Sequence, residues 1–435
     1  MERALDSTAR EVHRFPADGP LDLAALVPAL GLVPGTDPFV LLDGEGWGAS
    51  VLAFEPEQHL VVEDDASPFE ALRDFLGLVA GDAHPLEGGA GLFGYLSYDA
   101  ARHLERLPVF AEDDLGLPTM QFILPRYTVG IEGGEAWVSV PVGEEPAPIV
   151  RTLKAASPLI GRRRDPVSVA RSSMGRGGYE RAVRRIKEYI RAGDVFQVNV
   201  SQRFAVPFDE GPVSLYGALR TVNPSPYGGM LSFPGFAAVS SSPELLVRLS
   251  GRTASTRPIA GTYPREEADG AELLLDPKER AEHAMIVDLE RNDLGRTAAY
   301  GTVRVEELMT TETYSHVVHI VSEIAGELAP NKDVVDLLAG MFPGGTITGC
   351  PKVRCMEIIE ELEPVRRALY TGSFGCLSKN SMDMNIVIRT ILLKAGVAYA
   401  QAGGGIVADS APAREYQESV ATAAALLESL GASPP

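Results

Sequence analysis

DPKERAEHAMIVDLERNDLGR, residues 276–296, is the segment from which the rest of the chain can be interpreted, because it predicts a helix with a well-marked start. Asp276 can cap this helix, Pro277 suits its first turn, and Glu279 follows the cap by three residues, as in a capping box. The apolar residues repeat with helical spacing, at positions 281, 284, 285 and 289. The segment is therefore expected to form an amphipathic helix.

Two pairs of glutamates have the same spacing. Glu279 and Glu282 are three residues apart on the predicted helix and share one of its faces. Glu415 and Glu418 repeat this spacing near the start of a second helix, predicted over residues 411–430. If the pairs meet, their oxygens form a pocket suited to Mg²⁺, which takes carboxylates together with water and an anionic substrate. Spacing alone equally fits two solvated helix faces.

Composition and net charge limit the kinds of molecule that this chain is expected to bind. The 435 residues are 45% hydrophobic and 23% charged, which is ordinary for a globular protein with an ample core. A formal net charge of −20 argues against nucleic acid or an anionic membrane as partner. An anionic ligand would therefore need locally supplied positive charge, from a metal, arginines or backbone N–H groups.

Three cysteines, Cys350, Cys355 and Cys376, show neither CxxC nor zinc-site spacing. This sparse, odd number is typical of a reducing compartment. The charged start, MERALDSTAREVHRF, does not resemble a signal peptide, and no apolar run reaches the roughly 18 residues of a membrane span. A cytoplasmic location is expected.

The pattern along the chain predicts many short strands with flanking helices, in an antiparallel rather than a doubly wound arrangement. This pattern is typical of the α+β class. A proline-containing stretch at 146–165 ends in GRRRD and reads as a connector. It divides the chain into an N-terminal region, 1–160, and a C-terminal region, 161–435.

Several polar features of the C-terminal region are candidates for chemistry. Gly403, Gly404 and Gly405 follow a predicted strand at 397–402, and consecutive glycines let backbone N–H groups approach an anion. Lys352 lies in the first turn of the helix after PGGTITG (343–349), close to where an anion would bind. Arg389 interrupts the apolar strand predicted over 384–394, and either a ligand or a structural ion pair would satisfy it.

Two further residues are candidates for proton transfer. Glu244 precedes an apolar strand and could act as a general acid. His319 could move protons, although a lone histidine is more often structural. The sequence has no Walker loop, dinucleotide fingerprint or GxSxG elbow, and no Cys–His arrangement for amide hydrolysis. If ammonia derives from glutamine, the glutaminase is expected on another chain.

Taken together, these segments resemble the chorismate-utilising enzymes, the family of anthranilate synthase component I. The resemblance is dense over residues 178–430 and weaker over AGLFGYLSYDAARHLE (90–105). It implies two large packed antiparallel β-sheets with helices outside. The motifs that carry it are GDVFQVNVSQRF, SSPELLVR, RPIAGTYPR, KERAEHAMIVDLERNDLGR, FPGGTITGCPKVRCMEIIEELEP, MDMNIVIRT and AGGGIVADS.

The resemblance implies a role for each candidate. Glu282 and Glu418 would bind Mg²⁺, with Glu279 and Glu415 beside them, and the metal would hold the ring carboxylate of chorismate. Glu244 would protonate the departing ring hydroxyl. The residues implied in binding the rest of the substrate are Gly261, Thr262, Tyr370, Arg389 and Gly403–Gly405.

Within the family that this chain resembles, the residues at single positions distinguish one kind of member from another. Water-using relatives carry a lysine base where this chain has Gln197, so an ammonia-using member is implied, with a glutamine amidotransferase subunit as partner. Some aminodeoxychorismate synthases carry a lysine nucleophile at the position of Ala260, whereas anthranilate synthases have alanine there. Thr422 stands where relatives commonly have lysine. His319 is a candidate for assisting pyruvate elimination and is shared by both kinds.

The loop signatures most resemble aminodeoxychorismate synthase component I, a transferase of p-aminobenzoate and folate synthesis. AGGGIVADS favours it, and Leu41–Gly44 (LLDG) replaces the LLES of tryptophan-inhibited anthranilate synthases. Anthranilate synthase component I is the alternative, with Ala260 in its favour. A non-catalytic chorismate-binding subunit is disfavoured, since the glutamate pairs, Glu244 and Arg389 are all present.

Overall fold

The computed structural model describes residues 9–64, 66–264, 277–313 and 317–435. Only the backbone is described for residues 260–264, 277–279, 312–313 and 317–319. The helices are α1 (Leu23–Ala29), α2 (Pro68–Leu76), α3 (Ala147–Ala155), α4 (Gly175–Ala192), α5 (Pro212–Val222), α6 (Pro277–Gly295), α7 (Val334–Met341), α8 (Lys352–Leu362) and α9 (Pro412–Ser429). None of the described helices is long and apolar enough to cross a membrane.

The strands fall into an N-terminal and a C-terminal set. Those of the first region are β1 (Arg10–Pro16), β2 (Phe39–Asp43), β3 (Ser50–Val62), β4 (Leu92–Leu96), β5 (Met120–Glu132) and β6 (Glu135–Pro141). Those that follow are β7 (Ser168–Val169), β8 (Arg171–Ser172), β9 (Gln197–Pro207), β10 (Tyr227–Phe233), β11 (Phe236–Ser242), β12 (Leu245–Ser250), β13 (Thr253–Thr256), β14 (Ile259–Pro264), β15 (Arg304–Thr313), β16 (Val317–Glu327), β17 (Gly349–Cys350), β18 (Ser373–Leu377), β19 (Ser381–Asn385), β20 (Thr390–Lys394), β21 (Val397–Ile406) and β22 (Ala432–Ser433).

Apart from a parallel pair formed by β7 and β22, the described strands form one connected antiparallel network, which divides into two sheets joined through β3 and β5. One sheet runs β1–β6–β5–β3–β2–β10–β11–β20–β21–β9, with β8 and β17 both pairing to β9. The other runs β16–β13–β12–β19–β18–β4–β5, and β14 and β15 also pair with β16. The predicted α+β class with large antiparallel sheets is confirmed.

β3 and β5 belong to both sheets because each is 13 residues long. The first half of β3 pairs with β2, and β5 pairs with β4 near its start and with β6 near its end. A register shift between Pro56 and Gln58, beside Glu55 with φ of 51°, bends β3 midway. One continuous ribbon therefore links the two layers.

Apolar residues of both sheets pack against each other in the interior. One core cluster joins residues of β2 and β10 with residues of β4 and β18, among them Leu42, Leu231, Tyr95 and Phe374. All four are at most 2% exposed. Strands buried on both faces explain why several of them read as continuous apolar runs.

The division at residue 160 stays a prediction, although the connector is partly helical. Residues 147–155 form α3, and irregular chain follows as far as β7. Strands of the two regions pair directly, β2 with β10 and β4 with β18. The regions therefore share both sheets.

Candidate active site

A cavity of about 260 Å³ contains many of the predicted site residues, and we call it the Glu244 cavity. Its walls come from β9, β21, α6, α9, the 343–349 loop and the chain around Arg389. The polar and glycine residues that line it are Gln197, Asn199, Glu244, Glu282, Thr346, Tyr370, Arg389, Gln401, Gly403, Gly405 and Thr422.

Glu244 lies in the short break between β11 and β12 and is 6% exposed. Burial disfavours its charged form and raises its pKa to about 7, against opposing effects of the Thr346 side chain, the Ile259 backbone and the Arg389 charge. A carboxyl with this pKa exchanges protons readily near neutral pH. The predicted general acid therefore has suitable electrostatics.

Arg389 does not lie inside a strand, which corrects the prediction of one strand over 384–394. β19 ends at Asn385 and β20 begins at Thr390, and Arg389 adopts a left-handed φ of 48° between them. Non-glycine residues rarely adopt this conformation. The break turns the guanidinium into the Glu244 cavity, where burial lowers its pKa and Glu244 opposes that effect.

The three glycines lie within β21, whereas the sequence predicted them after the strand. Gly403, Gly404 and Gly405 pair with Ser201, Val200 and Asn199 of β9. A Cβ at Gly403 would stand 2.1 Å from the carbonyl oxygen of Val200, and one at Gly405 would stand 2.1 Å from Nε2 of Gln197. The glycines thus let β9 and its side chains approach β21 closely.

Gln197 and Glu282 meet across the cavity. Nε2 of Gln197 donates a hydrogen bond of 3.1 Å to Oε1 of Glu282, which joins β9 to α6. A glutamine amide fixes the glutamate without adding charge. A lysine here would instead place a positive charge beside Glu282.

The predicted metal ligands are only partly brought together. Glu282 lines the cavity, and Glu418 lies one helical turn before Thr422 on α9, another lining residue. Glu415 lies a further turn away from Thr422, and the side chain of Glu279 is outside the described residues. Among the described residues, no group of three or more His, Cys, Asp or Glu is arranged to hold a metal. Two carboxylates from two helices nevertheless suit Mg²⁺, which keeps several waters.

Besides Glu279, four predicted residues are described by their backbone alone. Ala260, Gly261 and Thr262 lie on β14, and His319 lies opposite Thr262 on β16. Ile259, which opens β14, lines the cavity. The chain therefore brings both segments to one edge of the site, and their side chains are outside the described residues.

Lys352 has a different position from the one predicted, because it does not line the Glu244 cavity. Its Nζ lies 2.6 Å from Oδ2 of Asp293 and donates a hydrogen bond of 2.6 Å to the carbonyl oxygen of Pro343. The side chain is 9% exposed. Lys352 thus holds the 343–349 loop, which differs from the predicted substrate contact.

Sequence reasoning missed three polar lining residues, Asn199, Thr346 and Gln401. Thr346 lies within the PGGTITG loop, whose glycines were noted but whose threonine was not. Asn199 shares strand β9 with Gln197, two positions away, so the period of two was an available signal. Gln401 donates to Oγ of Ser201, a buried contact that no local pattern indicates.

A larger cavity of about 510 Å³ lies elsewhere and contains none of the predicted catalytic residues. Asp43, Tyr216 and Arg220 form part of its wall, and Arg220 pairs with Asp43 at 3.2 Å. Size alone would select this cavity. The buried carboxyl of Glu244, with its pKa raised to about 7, selects the Glu244 cavity instead.

Comparison with known proteins identifies the family of this chain. The model of the family described as chorismate binding enzyme matches residues 37–428. The chain belongs to the chorismate-binding enzyme family. As a family member, it is a chorismate-utilising enzyme of the anthranilate synthase component I and aminodeoxychorismate synthase type.

Relatives with two different names are about equally similar. Anthranilate synthase component 1 of Thermus thermophilus is 47% identical over 80% of this chain and 79% of its own length. Aminodeoxychorismate synthase component 1 of Bacillus subtilis is 42% identical over 92% of this chain and 88% of its own length. The solved anthranilate synthase component I of Streptococcus pneumoniae superposes with a TM-score of 0.77 at 31% identity, covering 86% of this chain and 91% of that one.

Proposed function

We propose that this chain is aminodeoxychorismate synthase component I, which aminates chorismate to 4-amino-4-deoxychorismate. The observation that supports an amination best is the Glu244 cavity, which combines a buried acid, a cation and a neutral amide. Glu244 has a pKa raised to about 7, Arg389 supplies positive charge, and Gln197 bonds to Glu282.

In the proposed reaction, ammonia forms a C–N bond to the chorismate ring as the C–O bond of the ring hydroxyl breaks. Hydroxide is a poor leaving group, so Glu244 gives up its proton and the hydroxyl departs as water. The new ammonium group then loses a proton. Arg389 would bind a carboxylate of the substrate, since a guanidinium matches carboxylate geometry.

Glu282 and Glu418 are proposed to hold Mg²⁺, in keeping with their oxygen donors. The bound ion would supply positive charge for a substrate carboxylate in a protein whose net charge is −20. The Gln197 amide donates a hydrogen bond to Glu282 at this proposed site.

The ammonia is proposed to come from a glutamine amidotransferase subunit. Glutamine hydrolysis on this chain would need a reactive thiolate. Cys355 and Cys376 are buried, and burial raises the pKa of all three cysteine thiols. Neutral thiols are poor nucleophiles, which supports a separate glutaminase.

The choice of product rests on the loop signatures and on the coverage of 92% of this chain by the aminodeoxychorismate synthase relative. Anthranilate synthase component I is the second candidate, favoured by Ala260 and by the 47% identity to the Thermus thermophilus protein. There, pyruvate elimination would follow the amination.

The deciding experiment incubates the purified chain with chorismate, Mg²⁺ and ammonium, followed by separation of the products. An amino-chorismate that a lyase converts to p-aminobenzoate would support the proposal and show that Ala260 suffices at that position. Direct appearance of fluorescent anthranilate would assign the alternative. Chorismate that stays unconsumed at every ammonium concentration would contradict both.

A further inference from the structure

A buried cluster of three ionisable residues lies beneath the 343–349 loop, outside the Glu244 cavity. Glu290 and Asp293 come from the last turns of α6 and are 3% and 2% exposed. Oε1 of Glu290 accepts a hydrogen bond of 3.0 Å from the backbone N–H of Gly345. Lys352, from α8, lies against Asp293. The cluster therefore joins two helices to one loop.

The cluster contains two carboxyl groups but only one ammonium group, so Lys352 can neutralise only one of the two carboxylates. Lys352 is committed to Asp293 and to the carbonyl oxygen of Pro343. Burial and the neighbouring Asp293 raise the pKa of Glu290 to about 8, against the effect of Lys352. Both effects favour the protonated, uncharged form of Glu290. Within the described part of the chain, its Oε2 has no hydrogen-bond partner.

The loop fits closely over this carboxyl. A Cβ at Gly345 would stand 2.6 Å from Cδ2 of Leu289 and 3.0 Å from Oε1 of Glu290, so any larger residue would have to displace these side chains. Gly345 is followed by Thr346, which lines the Glu244 cavity and lowers the pKa of Glu244. The hydrogen bond from Gly345 to Glu290 is therefore only one residue away from Thr346, which lines the cavity together with Glu244.

We infer that Glu290 is a positioning residue, which fixes Gly345 through the backbone hydrogen bond and thereby holds Thr346 in the wall of the Glu244 cavity. Glu290 does not line the cavity and does not touch the substrate. Its carboxyl acts through the loop on the orientation and proton affinity of the acid. This inference rests on the proposed role of Glu244 in protonating the ring hydroxyl.

Two substitutions at Glu290 distinguish its role as a hydrogen-bond acceptor from the effect of its charge. Glu290→Gln keeps a carbonyl oxygen for the Gly345 N–H, so kcat should stay within about twofold of the parent enzyme. Glu290→Met keeps the shape but removes the acceptor, so kcat should fall about tenfold or more, while KM for chorismate changes less than about threefold. Chorismate consumption is the readout, because it does not depend on which product forms.

A double-mutant cycle tests the route through the loop. Thr346→Val removes the Thr346 hydroxyl from the wall of the Glu244 cavity, and its effect on kcat should not add to that of Glu290→Met, since both disturb the same part of this wall. Additive effects would overturn the inference. Should Glu290→Met fail to fold, Glu290→Ala, which also removes the acceptor, takes its place in the cycle.

Glu360 provides a matched control. It is a buried carboxylate that also accepts backbone N–H groups, from Phe110 and Ala111, and it pairs with Arg102 at 2.6 Å. It does not line the Glu244 cavity. Glu360→Gln should lower the melting temperature and leave kcat unchanged, which shows that lost stability alone does not reduce turnover.

Each remaining outcome tests either the role of Glu290 or the proposed function on which it rests. Full kcat in folded Glu290→Met would overturn the inference, as would Glu290→Gln that is as slow as Glu290→Met, since a negative charge would then be required. A parent enzyme that makes anthranilate refutes the proposed product but leaves the Glu290 test valid. A parent enzyme in which Glu244→Gln retains full activity refutes the acid, and the inference with it.

Discussion

Glu244 is buried and lies in the wall of the cavity, and we propose that it donates its proton to the substrate. Glu244→Gln keeps the shape of the side chain but cannot donate that proton, and kcat for chorismate consumption should fall about 100-fold or more. The circular dichroism spectrum and KM should change little. A variant that keeps more than half of the parent activity would contradict the assignment.

The same carboxyl predicts how activity depends on pH. Because its pKa is raised to about 7, the acid form predominates below pH 7 and is lost above it. Turnover, measured at saturating chorismate and at a constant concentration of free NH₃, should therefore decline as pH rises from 6 to 9. A rate that stays level across this range would indicate that another group supplies the proton.

Glu282 tests the metal proposal at the residue scale. Glu282→Gln keeps an oxygen near Gln197 but removes the charge, so activity should fall about 100-fold at limiting Mg²⁺. Magnesium titrations of the parent and the variant measure the shift in half-saturation. Full activity of the variant at saturating Mg²⁺, with an unshifted titration, would exclude Glu282 as a ligand.

At the scale of an element, β21 allows a comparison of adjacent glycines. Gly403→Ala places a Cβ 2.1 Å from the carbonyl oxygen of Val200, and the rigid backbone contact should cost about 1–3 kcal/mol of unfolding free energy. Gly404→Ala meets no atom within 4 Å and should stay within about 0.5 kcal/mol. Urea denaturation checks both, and equal stabilities would contradict the close approach of β9.

Elements also show how far sequence reasoning extends. Local patterns predicted the helix at 277–295, the last helix and the antiparallel α+β class, because periodicity and caps are local properties. Arg389 was misplaced because strand propensity continues through the MNIVIRTILL run, whereas the tertiary structure imposes a left-handed turn there. The Lys352–Asp293 pair was missed because it joins residues 59 positions apart.

For the whole molecule, the shared strands predict that the two regions do not fold separately. A fragment of residues 161–435 would leave β10 without β2 and β18 without β4, which exposes two buried edges. It should aggregate or lack a cooperative thermal transition. Co-expression with residues 1–160 supplies the missing strands and serves as the control. A monomeric, cooperatively melting fragment would support independent domains.

The pairing of β4 with β18 also means that β4 is synthesised long before its partner strand. β4 ends at Leu96 and its partner begins at Ser373, about 280 residues later in the chain. At about 5–20 residues per second, a ribosome needs roughly 15–60 s to make that stretch. For this interval a strand that is fully buried in the finished enzyme waits with one edge unpaired. Nascent chains of this protein should therefore depend on chaperones until the second half has emerged.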